Sequence, residues 1–245
     1  MADNFLSLVV PAYKQEKTIL KDVKALDKSL SSLFQSFEII IVVDGFVDKT
    51  YQRVSRIKNN RIKVIGYEDN RGKGFAIKTG VAAAKGDIIG FMDSGMDLDP
   101  NEISIMLGIM QWNKADIVIG SKLHPDSVVD YPLSRKILSW GYRTIIKVLF
   151  RLNVKDTQVG LKLFRNKVAK DVFSKIVVKA FAFDIEVLAV ARLLGYDKIY
   201  ESPVRLRFRQ GGITSTNFWK ISFRTLWDTL AVYYRMNILK YYDKG

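Results

Sequence analysis

The stretch FEIIIVVDG, residues 37–45, sets five consecutive β-branched residues between a glutamate and an aspartate. A strand that is buried on both faces has such a continuous apolar run, and this is typical of a parallel sheet covered by helices. Four similar runs occur in the first 120 residues, at 5–10, 62–67, 88–92 and 117–120. We therefore predict five strands of a mainly parallel sheet in the first half of the chain.

Helical patterns, with apolar residues three or four positions apart, separate these runs at 16–33, 50–58, 73–84 and 101–112. This alternation predicts an α/β fold with a mainly parallel sheet flanked by helices. Ligands of such sheets bind beyond the carboxyl ends of the strands, so the residues that follow each strand are the first candidates for a site. These segments are 11–16, 44–48, 68–73, 93–97 and 121–122.

The chain of 245 residues is 48% hydrophobic, which is enough for one large core. We predict one main domain over residues 1–210 and a C-terminal amphipathic helical segment over residues 211–245. The absence of cysteine excludes disulfides and thiolate metal sites. The N-terminus does not read as a secretory signal, and no uncharged apolar run reaches about 18 residues, so a spanning helix is not expected.

Positive charge is concentrated in the second half of the chain. Residues 1–121 carry 16 basic and 15 acidic side chains, whereas residues 122–245 carry 23 and 10. Such a field attracts phosphates in nucleic acid, on a membrane surface or in a small substrate. Residues 133–150 and 217–236 have the pattern of basic amphipathic helices with aromatic residues, which favours a membrane interface. Packing of these helices on the sheet is the alternative.

The stretch FMDSGMDLDP, residues 91–100, places three aspartates directly after a predicted strand. Carboxylates there are hard oxygen ligands of the kind that Mg²⁺ or Mn²⁺ takes. Asp93 and Asp97, four positions apart across a Ser-Gly turn, are the predicted metal ligands, with an ordinary turn as the alternative for Asp93. Asp99 precedes Pro100, an arrangement that predicts a helix cap.

Five stretches together resemble glycosyltransferase family 2: VVPAYKQEKTI, EIIIVVDGFVDKT, NRGKGFAIKTGVAAAKGDIIGFMDSG, DTQVGLKLF and FAFDIEVL. The last two are most similar to the group of polyprenyl-phosphate hexosyltransferases that contains the dolichyl-phosphate glucosyl- and mannosyltransferases. The resemblance runs from about residue 8 to residue 234. It implies a GT-A fold, a nucleotide-sugar donor, a divalent metal, and polyprenyl or dolichyl phosphate as the acceptor.

The resemblance also implies roles for individual residues. Asp93 and Asp97 would hold the metal and act in catalysis with Arg135. The donor would contact Pro11, Ala12, Tyr13, Gln15, Asp44, Asp69, Lys73, Asp93, Ser94 and Gly95. For Lys73 the alternative is a solvated loop lysine, because NRGKG lacks the spacing of a P-loop.

Three positions depart from the family pattern. Gly95 stands where the family usually has the second aspartate of its D-x-D element. Val43 replaces the first aspartate of the usual VDDGS pattern, and Gln15 stands where glutamate is common. The details of metal and nucleotide contact are therefore expected to differ from the family pattern.

A phosphate acceptor is largely dianionic at neutral pH, so it needs cations to position it and no base to deprotonate it. The residues implied for this task are Lys122, Ser134, Arg135, Ser139, Arg207 and Arg209. Asp156 is expected to organise a loop or the basic cluster, and Asp184 and Glu186 to orient nearby cations. His124 has no second nitrogen or thiolate ligand nearby in the sequence and is read as a loop residue.

The predicted function is inverting transfer of a hexose to polyprenyl or dolichyl phosphate at the cytoplasmic face of a membrane, by a peripheral protein. UDP-glucose is the preferred donor and GDP-mannose the second. One alternative is a transferase of the same family with a saccharide acceptor. The other is a non-enzymatic protein that binds nucleic acid or membrane. Nucleic acid is not expected as a partner, because acids follow the predicted strands.

Overall fold

The computed structural model describes residues 4–95, 98–128, 144–178, 182–206 and 215–243, with only the backbone of 215–224. Within these ranges the strands form one sheet in the order β3-β2-β1-β4-β6-β5-β7. The strands are β1 (Leu6–Ala12), β2 (Phe37–Asp44), β3 (Ile62–Tyr67), β4 (Ile88–Met92), β5 (Ile117–Ser121), β6 (Leu161–Arg165) and β7 (Ile199–Pro203). The five strands predicted in the first half are all present.

Helices cover both faces of this sheet. They are α1 (Ile19–Leu33), α2 (Thr50–Val54), α3 (Lys73–Ala83), α4 (Glu102–Trp112), α5 (described over 144–150), α6 (Asn166–Lys175), α7 (Phe183–Leu193) and α8 (Ser215–Asn237), which a short 3-10 turn, Tyr241–Asp243, follows. The predicted ends are wrong by a few residues: α1 begins three residues later because 16–18 form a turn, and α2 ends at Val54 instead of residue 58. Strand β7 and helix α6 were not predicted.

The sheet is parallel except for β6, which runs antiparallel to both β4 and β5. Met92 pairs with Leu161, so the first residue of β6 lies beside the last residue of β4. This reversal brings the DTQVG segment, which precedes β6, to the edge where the parallel strands end. The predicted binding edge therefore includes a segment from the second half of the chain.

Hydrophobic clusters fill the space on both faces of the sheet, as the continuous run in β2 predicted. Ile40 and Val42 face a cluster with residues of α3, α6 and α7. Ile39, Ile41 and Val43 face the other cluster, with residues of α1 and α4. Since alternate strand residues point to opposite faces, a run with no polar member is what this double burial requires.

Two lysines join α3 to α6 at the ends of these helices. Lys170 Nζ donates to the carbonyl oxygens of Val81, Ala82 and Ala84. Lys78 Nζ donates in return to those of Ser174 and Ile176, at 3.1 and 2.9 Å. The last carbonyls of a helix lack partners within the helix, so each ammonium group supplies donors to carbonyls at and just beyond a helix end.

The described side chains of α8 divide into two faces. Thr225, Thr229 and Val232 are buried. Trp227, Leu230 and Tyr234 on the helix are exposed, as is Ile238, the first residue after it, whose N–H still donates to the carbonyl of Tyr234. Their spacing of three and four residues sets these four side chains in one stripe. In the described part of the chain, no helix is both long enough and apolar enough to cross a membrane.

Candidate active site

Asp93 lies directly after β4, at the edge of the sheet where β1, β2 and β5 also end. Its backbone N–H donates to the carbonyl of Gly160 at 2.9 Å, and its carboxylate Oδ1 lies 2.7 Å from Lys73 Nζ. The side chain of Asp93 is 49% exposed. The structure thus brings together two predicted donor-site residues and leaves the carboxylate accessible from solvent.

Gly160, the last residue of DTQVG, is in contact with this carboxylate. A Cβ atom at position 160 would lie 2.0 Å from Asp93 Oδ2 and 2.7 Å from Oδ1. No real Cβ atom approaches an oxygen so closely, so position 160 must be glycine for Asp93 to keep this position. The close approach of the Asp93 carboxylate therefore explains why this position of the family signature is glycine.

Lys73 is the first residue of α3 and follows Gly72, whose φ of +92° favours glycine. Burial disfavours its ammonium group, but the carboxylates of Asp93 and Asp184 outweigh burial and raise the pKa of Lys73. Because the side chain is paired with Asp93 and only 30% exposed, the alternative of a freely solvated loop lysine is wrong.

A second ion pair lies beneath the first. Lys162 in β6 is fully buried, and its Nζ donates to the carbonyl of Val159 at 2.7 Å and to Asp184 Oδ1. Burial lowers the pKa of Lys162, although the carboxylate of Asp184 opposes this shift. A buried charge is tolerated when it is paired and hydrogen-bonded, as both groups are here.

Sequence analysis missed Lys162. The signal was a lysine in the middle of the apolar strand LKLF, where strand periodicity places a core residue. The prediction that Asp184 orients a nearby cation is confirmed by this contact. Glu186 is also buried, and it accepts hydrogen bonds from the backbone N–H groups of Val177 and Val178 and from the hydroxyl of Tyr242.

Asp156 organises the loop that leads to β6, as expected. Its carboxylate accepts the backbone N–H groups of Lys122 and Gln158, each at 3.1 Å, and lies 3.9 Å from Lys122 Nζ. Glu201 in β7 accepts the N–H groups of Lys155 and Asp156 at 3.0 Å. The predicted acceptor residue Lys122 is therefore positioned at the end of β5 by the DTQVG segment.

Asp44, predicted near the base or ribose, is buried and holds the loop before α3. It accepts hydrogen bonds from the hydroxyl of Tyr67, the amide of Asn70, and the backbone N–H groups of Arg71 and Gly72. Burial and the hydrogen bond to Asp44 raise the pKa of Tyr67. Since its oxygens are engaged in this way, Asp44 acts on the site by fixing the loop that carries Lys73.

The other predicted donor residues line the same edge. Tyr13 is exposed after β1, and Lys14 then turns the chain with a φ of +53°. The backbone N–H of Gln15 donates to Thr50 Oγ1 at 2.9 Å. The remaining donor residues end β1 or lie in the loops after β3 and β4: Pro11, Ala12, Asp69, Ser94 and Gly95.

Asp99 lies just before α4 and its carboxylate accepts the backbone N–H of Asn101 at 3.0 Å. This contact closes the turn that leads into α4, but the N-cap residue of the helix is Asn101 and Pro100 is not its first residue, so the predicted cap is displaced by two residues. Six other predicted residues lie outside the described residues: Asp97, Ser134, Arg135, Ser139, Arg207 and Arg209. Their roles remain predictions.

Comparison with known proteins identifies the family. The profile of glycosyl transferase family 2 matches residues 7–173. Dolichyl-phosphate beta-glucosyltransferase of Dictyostelium discoideum is 32% identical over 205 residues, which cover 78% of this chain and 63% of that protein. The Drosophila melanogaster protein of the same name is 30% identical over 234 residues, covering 87% of this chain and 70% of its own length.

Among solved structures, glucosyl-3-phosphoglycerate synthase from Mycobacterium tuberculosis, in complex with Mn²⁺, uridine diphosphate and phosphoglyceric acid, has a TM-score of 0.71 at 20% identity. The match covers 95% of this chain and 79% of that one. It confirms the predicted GT-A fold. With the family profile matching more than half of its length, the chain belongs to glycosyltransferase family 2.

Proposed function

We propose that this protein is an inverting hexosyltransferase that moves glucose from UDP-glucose to polyprenyl or dolichyl phosphate, with GDP-mannose as the second candidate donor. The observation that carries the proposal is the Asp93–Lys73 pair at the carboxyl edge, next to the DTQVG segment. The similarity to proteins named dolichyl-phosphate beta-glucosyltransferase supports glucose and the lipid acceptor.

On the donor side, Asp93 presents a half-exposed carboxylate, which fits one ligand position of Mg²⁺ or Mn²⁺. In the part of the chain that the structure describes, no three His, Cys, Asp or Glu side chains form a cage. Mg²⁺ commonly takes one or two carboxylates and completes its shell with water and substrate phosphates. When bound, the metal would stabilise the negative charge of the departing diphosphate. Asp97 is the second proposed ligand.

Lys73 and the N-terminus of α3 would bind the same diphosphate. The first backbone N–H groups of a helix point towards an anion there, and the helix dipole favours negative charge. Because Lys73 is the first residue of α3, its ammonium group adds a full positive charge at that end. Charge that develops on the leaving group is thereby stabilised by groups that are already in place.

On the acceptor side, Lys122 and the arginines Arg135, Arg207 and Arg209 would hold the lipid phosphate. One phosphate oxygen forms a bond to C1 of the glucose, from the face opposite the leaving group. The bond from C1 to the β-phosphate oxygen breaks, and UDP leaves with its electron pair. An α-linked donor then gives a β-linked product, and no proton has to be removed because the phosphate is already ionised.

We further propose that the protein lies peripherally on the cytoplasmic leaflet, where its acceptor would be found. The exposed stripe Trp227, Leu230, Tyr234 and Ile238 would insert between lipid headgroups. The excess of basic residues after position 121 would add attraction to anionic lipids. The stripe is proposed as a lipid-facing surface because aromatic and aliphatic residues with neighbouring positive charge suit that interface.

A transfer assay tests the function. Purified protein is incubated with Mn²⁺, a short-chain polyprenyl phosphate, and either UDP-glucose or GDP-mannose. We expect a lipid-linked glucose from the first donor, and loss of transfer of at least about 100-fold in Asp93→Asn, since the electrostatic stabilisation of a leaving group is commonly worth that much. No lipid-linked sugar from either donor, or full activity of Asp93→Asn, would contradict the proposal.

The acceptor assignment has its own test. We expect Arg135→Ala to abolish transfer while UDP binding, measured by calorimetry, stays within about twofold of the wild type, because Arg135 is assigned to the lipid phosphate alone. Full transfer by Arg135→Ala would show that the acceptor assignment is wrong. An excess of unlabelled polyprenyl phosphate should also reduce transfer to a labelled polyprenyl phosphate, whereas an excess of free saccharide should not.

A further inference from the structure

We propose that Lys73 is a resident cation that exchanges its partner during donor binding. In the free protein it neutralises the carboxylate of Asp93. When a divalent metal and the donor enter, Lys73 releases Asp93 to the metal and pairs with the donor's diphosphate. This inference rests on the proposed function, because it gives Lys73 a task at that same site.

The first argument is competition for one carboxylate. Lys73 Nζ lies 2.7 Å from Asp93 Oδ1, a full ion-pair contact on the residue proposed to hold the metal. A divalent ion and an ammonium group repel each other at such distances, so both cannot remain in contact with one carboxylate without cost. Metal entry therefore favours movement of Lys73 away from Asp93.

The second argument is that the pair is accessible and able to open. The two side chains are 30% and 49% exposed, so separating them does not unfold the edge of the sheet. The lysine side chain has a flexible four-carbon stem. The neighbouring backbone is closely packed, since a Cβ at Gly74 would lie 2.5 Å from the carbonyl oxygen of Val178. The exchange therefore needs a change only in the side-chain conformation of Lys73.

The third argument concerns the other acid near Lys73. Asp184 contributes to the electrostatic field at Lys73, but its carboxylate is bound to the buried Nζ of Lys162. Asp184 is therefore already neutralised and is a poor new partner for a released lysine. A diphosphate at the N-terminus of α3 is the favourable partner, since it is anionic and the helix end attracts it to the same place.

Metal binding without nucleotide tests the exchange directly. Free Mn²⁺ is measured by electron paramagnetic resonance during titration of the wild type, Lys73→Met, Lys73→Arg and Lys78→Met. We expect Lys73→Met to bind Mn²⁺ at least about fivefold more tightly than the wild type, because a competing cation is gone from a partly buried pair. Lys73→Arg keeps the competing charge and should stay near the wild type.

Lys78→Met is the matched control. It removes the same charge from the same helix, but Lys78 Nζ is bound to the carbonyls of Ser174 and Ile176. Its Mn²⁺ affinity should stay within about twofold of the wild type, because Lys78 makes no ion pair with Asp93 and salt screens charges that are not in contact. UDP is then added with Mn²⁺. Lys73→Met should bind UDP at least about fivefold more weakly than the wild type, because the ammonium group is missing from the diphosphate site.

Opposite changes in the two affinities separate the exchange from simple damage, which would weaken both. An unchanged or lower Mn²⁺ affinity of Lys73→Met would overturn the inference. Lys73→Gln, which keeps a hydrogen-bond donor towards Asp93, replaces the methionine variant if that variant does not fold, and the same gain is expected. If the wild type binds Mn²⁺ in the presence of UDP but Lys73→Met shows no gain in Mn²⁺ affinity, the exchange is refuted and the proposed metal site is not. A wild type that binds no Mn²⁺ with UDP or GDP refutes both the exchange and the proposed metal site.

Discussion

Position 160 shows how a single residue of the family signature supports the site. The carboxylate of Asp93 occupies the space that any side chain at 160 would need, and the carbonyl of Gly160 accepts the N–H of Asp93. The two strand ends are thus joined through backbone and carboxylate without an intervening Cβ. Position 160 must be glycine because only a residue without a Cβ lets the carboxylate of Asp93 approach so closely.

We expect Gly160→Ala to displace the carboxylate of Asp93 and to lower the affinity for Mn²⁺ with UDP by at least about tenfold. The overpacked contact should also cost about 1–3 kcal/mol of unfolding free energy. Calorimetry and urea unfolding measure the two effects. Gly108→Ala in α4 is the control, since nothing lies within 4 Å of a Cβ there, and this variant should gain about 0.5–1 kcal/mol.

At this scale the sequence predicted some residues and missed others for physical reasons. Asp93 and Lys73 were predicted because strand ends and the family motifs both point to them. Lys162 was missed because its partner Asp184 is 22 positions away, and only tertiary structure brings the pair together. Asp44 is predicted to lie near the base or ribose, and its hydrogen bonds to the loop before α3 are a further role that its position after β2 did not indicate.

At the scale of elements, the reciprocal lysine contacts hold α3 against α6. Each lysine lies on one helix and binds carbonyls at the end of the other. These contacts stabilise the packing of α3 against α6 without touching Asp93 or Lys73.

We expect Lys170→Met to lower the melting temperature by about 2–6 °C, because three carbonyls lose a donor that is worth about 1–2 kcal/mol. Glucose transfer at 25 °C should remain, since Lys170 contacts no residue of the site. Lys24→Met, an exposed lysine of α1, should melt with the wild type. Equal melting temperatures for both variants would show that the contacts of Lys170 do not stabilise the protein.

Element types were predictable and their directions were not. A continuous apolar run indicates a buried strand, but it reads the same in parallel and antiparallel pairing. The reversal of β6 therefore appears only in the structure, although it decides that DTQVG meets Asp93. The predicted start of α1 was displaced because residues 16–18 form a turn, which the apolar spacing of the helix that follows does not distinguish from a first helical turn.

At the scale of the whole molecule, charge is unevenly distributed along the chain. Acids gather at the ends of β2 and β4, while positive charge is concentrated in the second half of the chain. The exposed stripe on α8 lies in that second half. The fold class was predictable because strand and helix patterns alternate regularly in the first half of the chain. The motifs that resemble glycosyltransferase family 2 point to the same fold.

We expect the protein to sediment with vesicles that contain anionic lipid, and Leu230→Ser/Ile238→Ser to weaken this binding at least about tenfold because two apolar side chains no longer insert. Trp112→Ser removes an exposed aromatic residue outside the stripe and is the control, which should bind as the wild type does. Equal binding of the stripe variant and the wild type would show that α8 does not face the lipid.

The most direct test of the central claim is a crystal structure of the protein with Mn²⁺ and UDP, with data collected at the manganese absorption edge. The account predicts an anomalous peak beside the carboxylate of Asp93, with the diphosphate between that ion and the N-terminus of α3, and Lys73 Nζ on a phosphate oxygen. A nucleotide bound elsewhere, or Lys73 still paired with Asp93 and no ion beside it, would contradict the account.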